Sequence, residues 1–114
     1  MNVGFIRPTP NMTEKHFIDL FAEETPELHK AFFGLADGLK NNGGLDEKTF
    51  QLVYIGIKAA AGQTGSVAAH AGYAKKAGAT RDEVRGAVLI SLMTNGVDGI
   101  ASCLAAALDG YDNA

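Results

Sequence analysis

Residues 45–80 read LDEKTFQLVYIGIKAAAGQTGSVAAHAGYAKKAGAT and carry most of the information about the fold. Asp46 is a good helix N-cap, and apolar residues recur after it at helical spacing. Gly62 interrupts that pattern, and a stretch rich in alanine and glycine follows it. The segment therefore predicts two consecutive helices, over 46–61 and 65–77.

The same signals predict four more helices elsewhere in the chain. They are expected over 13–23, 26–41, 81–94 and 97–109. Glycines mark the ends of apolar periodicity and are interpreted as helix C-caps and turns, at Gly43, Gly44, Gly62, Gly78, Gly96 and Gly110. No alternating pattern typical of β-strands remains. The predicted fold class is all-α, a compact domain of six helices.

The chain of 114 residues has the size of one domain. We expect a single all-α domain over 13–114, preceded by an extended N-terminal arm over 1–12, where Pro8 and Pro10 lie close together. No apolar run approaches the roughly 20 residues that span a bilayer, and the start lacks a secretory signal. These features predict a cytoplasmic protein without membrane contact.

Charge and ligand spacing exclude several classes of partner. The formal net charge is -3 and the basic residues are scattered, so we expect no binding to nucleic acid. The three histidines fall on separate predicted helices, with no second ligand at metal-binding spacing. We therefore expect neither a metal ion nor another cofactor.

His70 is the most informative side chain, because it lies in the middle of a predicted helix among small apolar residues. Ser66, His70 and Tyr73 share one face of that helix. Gln51, Tyr54 and Lys58 form a polar stripe on the preceding helix, which we expect to face His70. Desolvation there would lower the pKa of the imidazole and keep it neutral, the form that acts as a base. The alternative is a histidine that is hydrogen-bonded for structural reasons.

The region from Leu45 to Leu108 resembles the carboxymuconolactone decarboxylase and alkylhydroperoxidase D family. The resemblance rests on the LDEKT helix start, the histidine of the following helix, the AGAT-x-x-E turn and the closing apolar helix. The redox branch of that family carries the pattern E-x11-C-x-x-C-x3-H. With the pattern's histidine on His70, its cysteines fall on Ser66 and Gln63 and its glutamate on Gln51. Three of four functional positions therefore differ.

The resemblance implies a thiol peroxidase only where the cysteine pair is present. Ser66 and Gln63 cannot form a thiolate, a sulfenate or a disulfide. Gln51 keeps the shape of the carboxylate but cannot take up a proton near neutral pH. The one cysteine, Cys103, lies in an apolar helix where burial would make it inert. Thiol antioxidant activity is therefore the least favoured of three hypotheses.

The favoured hypothesis is a cysteine-independent enzyme or small-acid-binding site centred on His70, similar to the decarboxylase (lyase) branch. His70, Ser66 and Gln51 would be the catalytic groups, as proton donor and hydrogen-bond donors. Gln63, Tyr54 and Tyr73 would bind the substrate, a small molecule that carries a carboxylic acid. Arg81 and Arg85 are the only clustered arginines, and they form either a carboxylate clamp or an ordinary solvated face.

The remaining hypothesis is a non-catalytic helical protein whose redox site has lapsed. Both hypotheses share a homo-oligomer, because the helices over 46–61, 81–94 and 97–109 have wide apolar surfaces that one small core cannot cover. Burial against identical chains at ~25 cal/mol per Å2 is a substantial driving force. The resemblance implies a trimer or a hexamer. The helix over 26–41 has a single apolar stripe and is expected at a surface.

Overall fold

The structure, a computed structural model, describes residues 16–114. All regular elements in that range are α-helices, which confirms the predicted all-α class. Contacts divide the chain into two units, Met1–Gly43 and Gly44–Ala114. The arm predicted over 1–12 lies outside the described residues, and the single domain over 13–114 stays a prediction. Within 16–114, no helix is long and apolar enough to cross a membrane.

The first unit contains α1 (Phe17–Glu24) and α2 (Pro26–Asn42). His16 caps α1, where its Nδ1 accepts a hydrogen bond from the Ile18 N–H at 3.1 Å. Pro26 occupies the start of α2, where its missing N–H costs nothing. The apolar stripe of α2 remains exposed at all four of its large positions, Leu28, Phe32, Leu35 and Leu39.

The second unit contains five helices: α3 (Glu47–Ala60), α4 (Thr64–Lys76), α5 (Arg81–Leu89), α6 (Ser91–Asn95) and α7 (Asp98–Asp112). The first two agree with the helices predicted over 46–61 and 65–77. The helix predicted over 81–94 is divided at Ile90. There the Ser91 hydroxyl donates to the Val88 carbonyl at 2.7 Å, and the Met93 N–H bonds to Ile90, only three residues back. These bonds replace the regular helical ladder.

Glycines end most helices as predicted, with one exception. Gly44, Gly62, Gly78 and Gly96 have positive φ, which residues with a Cβ rarely adopt. Gly110 was predicted to stop the last helix, and that prediction is wrong, because it lies inside α7. A Cβ at Gly110 would overlap the carbonyl oxygen of Ala68 and lie 2.8 Å from the Ala68 Cα. This glycine therefore permits close approach of α7 to α4.

The core of the second unit is built from small side chains. Its members are Ile55, Ala59, Val67, Ala71, Ala74, Ala79, Val84, Ala87, Val88, Cys103 and Ala107. The contact between α4 and α7 is the most extensive in the unit, and α3 packs on the neighbouring side of α4. Because alanines and glycines line these contacts, the helix backbones come close together and leave little freedom for α4 to shift.

Three carboxyl groups at helix ends have lowered pKa values. Hydrogen bonds from the backbone N–H of Thr49, and then from its side chain, lower the pKa of Asp46, the N-cap of α3. The Thr80 N–H, and then Lys48 at 3.1 Å, lower the pKa of Glu83 within a capping box. The bidentate hydrogen bonds of Arg81, at 2.9 and 3.0 Å, lower the pKa of Asp112.

These shifts predict acid sensitivity. A carboxyl group whose pKa is lower in the folded than in the unfolded chain binds fewer protons when folded, so it stabilises the fold above the unfolded value. We expect the urea midpoint to fall as the pH drops below the ordinary values of 4.5 for Glu83 and 3.8 for Asp112. Glu83→Gln should reduce this dependence. A midpoint that is equal at pH 7 and pH 3, or an undiminished slope in the variant, would contradict the prediction.

Candidate functional site

His70 lies in the middle of α4, with aromatic rings on two sides. The ring of Tyr54, from α3, stacks on the imidazole with centroids 3.7 Å apart and an interplanar angle of 17°. The ring of Tyr73, from α4 itself, meets it edge-on at 4.9 Å. Val67 and Ala71 are buried beside it, and their small size lets α3 approach. The half-buried imidazole is therefore held in one plane.

A continuous chain of hydrogen bonds joins His70 to a carboxylate. The Oε1 atom of Gln51 lies 2.7 Å from the Nδ1 atom of His70, and the Nε2 atom of Gln51 donates to Glu47 Oε2 at 2.7 Å. The Gln51 side chain is only 2% exposed. A buried amide with both ends bonded at short distance is well ordered. Gln51 thus connects a surface carboxylate with the imidazole.

Sequence reasoning missed Glu47. Its position gave a usable signal, because residues four apart lie on the same face of a helix and Glu47 precedes Gln51 by one turn. A carboxylate is present at this site after all, one turn earlier and one amide further from the histidine.

The other predicted site residues take different places. Gln51, Tyr54 and Tyr73 surround His70, as the facing stripes predicted. Ser66 is half-buried on α4, one turn before His70. Gln63 is exposed at the N-cap of α4, and its side chain makes no capping hydrogen bond.

Lys58 places a positive charge near the ring of Tyr54. Its Nζ atom lies 5.8 Å from the centroid of the Tyr54 ring, and the residue is half-buried. The two arginines of α5 form ion pairs on exposed side chains, Arg81 with Asp112 and Arg85 with Asp82 at 3.0 Å. Their positive charges are therefore matched locally, and the arrangement agrees with a solvated face.

The cysteine of the chain is buried in another helix, and no cluster of metal-binding side chains is found within residues 16–114. Cys103 is fully buried in α7 and lies 3.4 Å from the Ser102 hydroxyl. Within residues 16–114, no three histidine, cysteine, aspartate or glutamate side chains come together in a way that could hold a metal ion. The chemistry that the site offers is that of an imidazole supported by an amide, a carboxylate and two phenol rings.

Comparison with known families gives one match. The carboxymuconolactone decarboxylase family matches residues 26–109. Since that span covers most of the chain, the protein belongs to the carboxymuconolactone decarboxylase family. It is of the carboxymuconolactone decarboxylase or alkylhydroperoxidase D type, as the resemblance from Leu45 onward predicted. Neither a curated protein nor a solved structure matches the chain.

Proposed function

We propose that the His70 site binds a small organic acid and carries out acid–base chemistry of the decarboxylase type, without a thiol. The observation that carries the proposal is the 2.7 Å contact between Gln51 and the Nδ1 atom of His70, which gives the ring a defined orientation. An oriented imidazole is the commonest general acid or base near neutral pH. Gln51 orients the imidazole, and His70 exchanges a proton with the ligand.

The half-buried Lys58 supports an acid as the ligand. Its ammonium group lies near Tyr54 and makes no ion pair with any residue in the described range 16–114. A carboxylate beside it would gain a charge-assisted hydrogen bond, which is worth more than a neutral one. The aromatic rings of Tyr54 and Tyr73 would pack on the apolar part of such a ligand, and Ser66 and Gln63 would offer hydrogen-bond donors at its rim.

The reaction that fits these groups is loss of CO2 from an acid conjugated to a carbonyl group. The carbon–carbon bond to the carboxylate breaks, CO2 leaves, and the electron pair becomes an enolate. Hydrogen-bond donors stabilise the enolate, and protonated His70 delivers a proton to carbon. The imidazole then regains its proton from water. No oxidant or reductant is needed.

The test is a binding and turnover assay with defined acids. Binding of unsaturated lactone acids and simple monocarboxylic acids is measured by NMR titration, and CO2 release by a coupled assay. We expect His70→Ala to abolish both, and Lys58→Met to weaken binding roughly tenfold or more, the loss of one charged hydrogen bond. Lys76→Met is the control, because it removes an exposed lysine from the end of α4.

Two outcomes would replace this proposal. If no acid binds the wild-type protein, or if His70→Ala binds as well as wild type, the non-catalytic helical protein is the better description. If the protein reduces peroxide with a dithiol donor and Cys103→Ser loses that activity, the thiol hypothesis returns. Two observations argue against that result. Cys103 is fully buried, and the family's cysteine positions are occupied by Ser66 and Gln63.

We also propose that copies of the chain associate through an apolar groove, as a trimer or hexamer of the kind that the resemblance implies. The groove has a volume of about 750 Å3 and lies between α3, α5 and α6, with Val53, Ile57 and Ile90 among its lining residues. Ile57 is 65% exposed, Ile90 63% and the adjacent Met93 88%. Apolar surface of this kind on one chain marks an association site. A second copy of the chain is the proposed occupant of the groove, because the chain itself presents further exposed apolar residues.

The oligomer proposal predicts a change in mass. Light scattering after gel filtration should give a multiple of the 11.9 kDa chain for wild type. Ile57→Lys combined with Ile90→Lys should shift the protein to monomers, because burial of two ammonium groups in an apolar interface is costly. Ala69→Lys, at an exposed position of α4, should leave the mass unchanged. A monomeric wild type would contradict the proposal.

A further inference from the structure

The two ends of the buried Gln51 amide differ chemically, so it matters which end faces His70. Its nitrogen carries only N–H donors and its oxygen carries only acceptor lone pairs. A carboxylate oxygen accepts, so the nitrogen of the amide faces Glu47, as the 2.7 Å distance from Nε2 to Oε2 records. The oxygen is then the atom that faces His70, 2.7 Å from Nδ1. Glu47 therefore decides which way the amide points.

The amide oxygen in turn decides which nitrogen of the imidazole carries the hydrogen. A carbonyl oxygen cannot donate, so the Nδ1 atom of His70 must carry the hydrogen of this bond. In a neutral ring the lone pair then lies on Nε2. We propose that Glu47 is a positioning residue that, through Gln51, holds His70 in its Nδ1–H tautomer and makes Nε2 the nitrogen that exchanges protons with a bound acid. The last clause rests on the proposed function, and the tautomer does not.

The tyrosines cannot select the tautomer by themselves. Tyr54 stacks parallel to the imidazole within 17°, so it restrains the plane of the ring. A half-turn of the ring about its Cβ–Cγ bond returns it to the same plane, exchanges Nδ1 with Cδ2 and keeps the stack. The hydrogen bond to Gln51 distinguishes the two orientations, because it requires Nδ1 and not the carbon at that place. Tyr54 and Gln51 therefore have separate roles, one for the plane of the ring and one for its protonation pattern.

An amide between the carboxylate and the imidazole differs from a direct carboxylate–histidine pair. A direct pair places the negative charge of the carboxylate beside the ring nitrogen and strongly favours imidazolium. The amide of Gln51 fixes the orientation of the ring, while the charged group, Glu47, lies one side chain further away. Hydrogen-bond partners of the ring nitrogen that faces away from the ligand fix the orientation and tautomer of functional histidines in other proteins.

The experiment reads the tautomer in the ligand-free protein. Long-range 1H–15N correlation spectra of the imidazole rings, recorded where the histidines are neutral, distinguish a protonated nitrogen from one with a lone pair. We expect His70 with its hydrogen on Nδ1, the reverse of the preference of an unconstrained ring. His16 is an internal reference of the opposite kind, because its Nδ1 accepts from the Ile18 N–H at 3.1 Å and its hydrogen must lie on Nε2.

Two variants test the direction of control. Glu47→Lys places a donor where the acceptor was, so the amide should reverse and present its N–H to Nδ1, which moves the hydrogen of His70 to Nε2. Gln51→Leu removes the acceptor at Nδ1 and should release the ring from the Nδ1–H tautomer that this acceptor requires. Glu27→Lys makes the same charge change in the first turn of α2 and should leave the spectrum of His70 unchanged. Amide spectra of each variant confirm that it is folded.

Each result has one interpretation. A wild-type His70 with its hydrogen on Nε2, or a folded Glu47→Lys variant with the tautomer of wild type, would overturn the positioning role. If the tautomer behaves as expected and no small acid binds, the proposed function fails while the role of Glu47 stands. If acids bind and the tautomer does not depend on Glu47, the proposed function stands while the role of Glu47 fails.

Discussion

Gly110→Ala should destabilise the protein by about 2–4 kcal/mol, although alanine is the better helix former. The added methyl group would overlap the Ala68 carbonyl oxygen and lie 2.8 Å from two backbone carbons of Ala68. Backbone atoms cannot rotate away as a side chain does, so α4 and α7 must separate. Because α4 also carries His70 two residues further on, the site should be disturbed together with the fold. Urea unfolding followed by circular dichroism measures the effect.

Gly65→Ala is the matched control for this substitution. Gly65 lies in α4, and a Cβ built there meets no atom within 4 Å. Replacement should therefore be neutral or stabilise the helix by up to about 1 kcal/mol. Equal effects of the two substitutions would mean that helix propensity, and not close packing, explains the glycine at position 110.

Tyr54→Ala should have the second largest effect, a loss of about 2–3 kcal/mol. It removes a half-buried aromatic ring whose face lies 3.7 Å from the imidazole of His70. Without the stack, the ring of His70 is no longer held in one plane, so we expect faster side-chain motion in NMR relaxation as well as a lower urea midpoint. Binding of any acid at the site should weaken in parallel.

Tyr54→Phe separates the ring from its hydroxyl group. The stack on His70 is retained, so stability and the motion of His70 should stay near the values of wild type. If Tyr54→Phe were as unstable as Tyr54→Ala, a hydrogen bond of the phenol, and not stacking, would be the dominant contribution. If Tyr54→Ala unfolded at the same urea concentration as wild type, the stack would have no role in stability.

Sequence patterns were sufficient for the helices and for the side chains that meet around His70. Apolar spacing, Asp46 and the turn glycines predicted α3 and α4, and polar residues at helical spacing predicted that Gln51 and Tyr54 face His70. The failures have a common physical cause. Gly110 and Glu47 depend on distances between side chains or backbones that one-dimensional patterns do not contain. A glycine required for close packing looks the same in sequence as a glycine required for a turn.

The division of the helix predicted over 81–94 has a similar origin. Residues 87–93 are apolar on nearly every side, which is consistent with one long buried helix. In the structure, the Ser91 hydroxyl bonds to the Val88 carbonyl and the backbone tightens at Ile90. Serine is common in helices, so its competition with the backbone is visible only when the geometry is known.

The short link from Ala61 to Gln63, with left-handed Gly62 at its centre, has a consequence for how this site can vary. Each helical residue turns the chain by about 100°, so one inserted residue that extended α4 at its start would turn His70 away from Gln51. Each helix could remain folded while the hydrogen bond between Gln51 and His70 was lost. Substitutions that keep the length of this three-residue loop and the left-handed backbone of Gly62 should therefore preserve the hydrogen bond between Gln51 and His70, whereas changes in its length should break it.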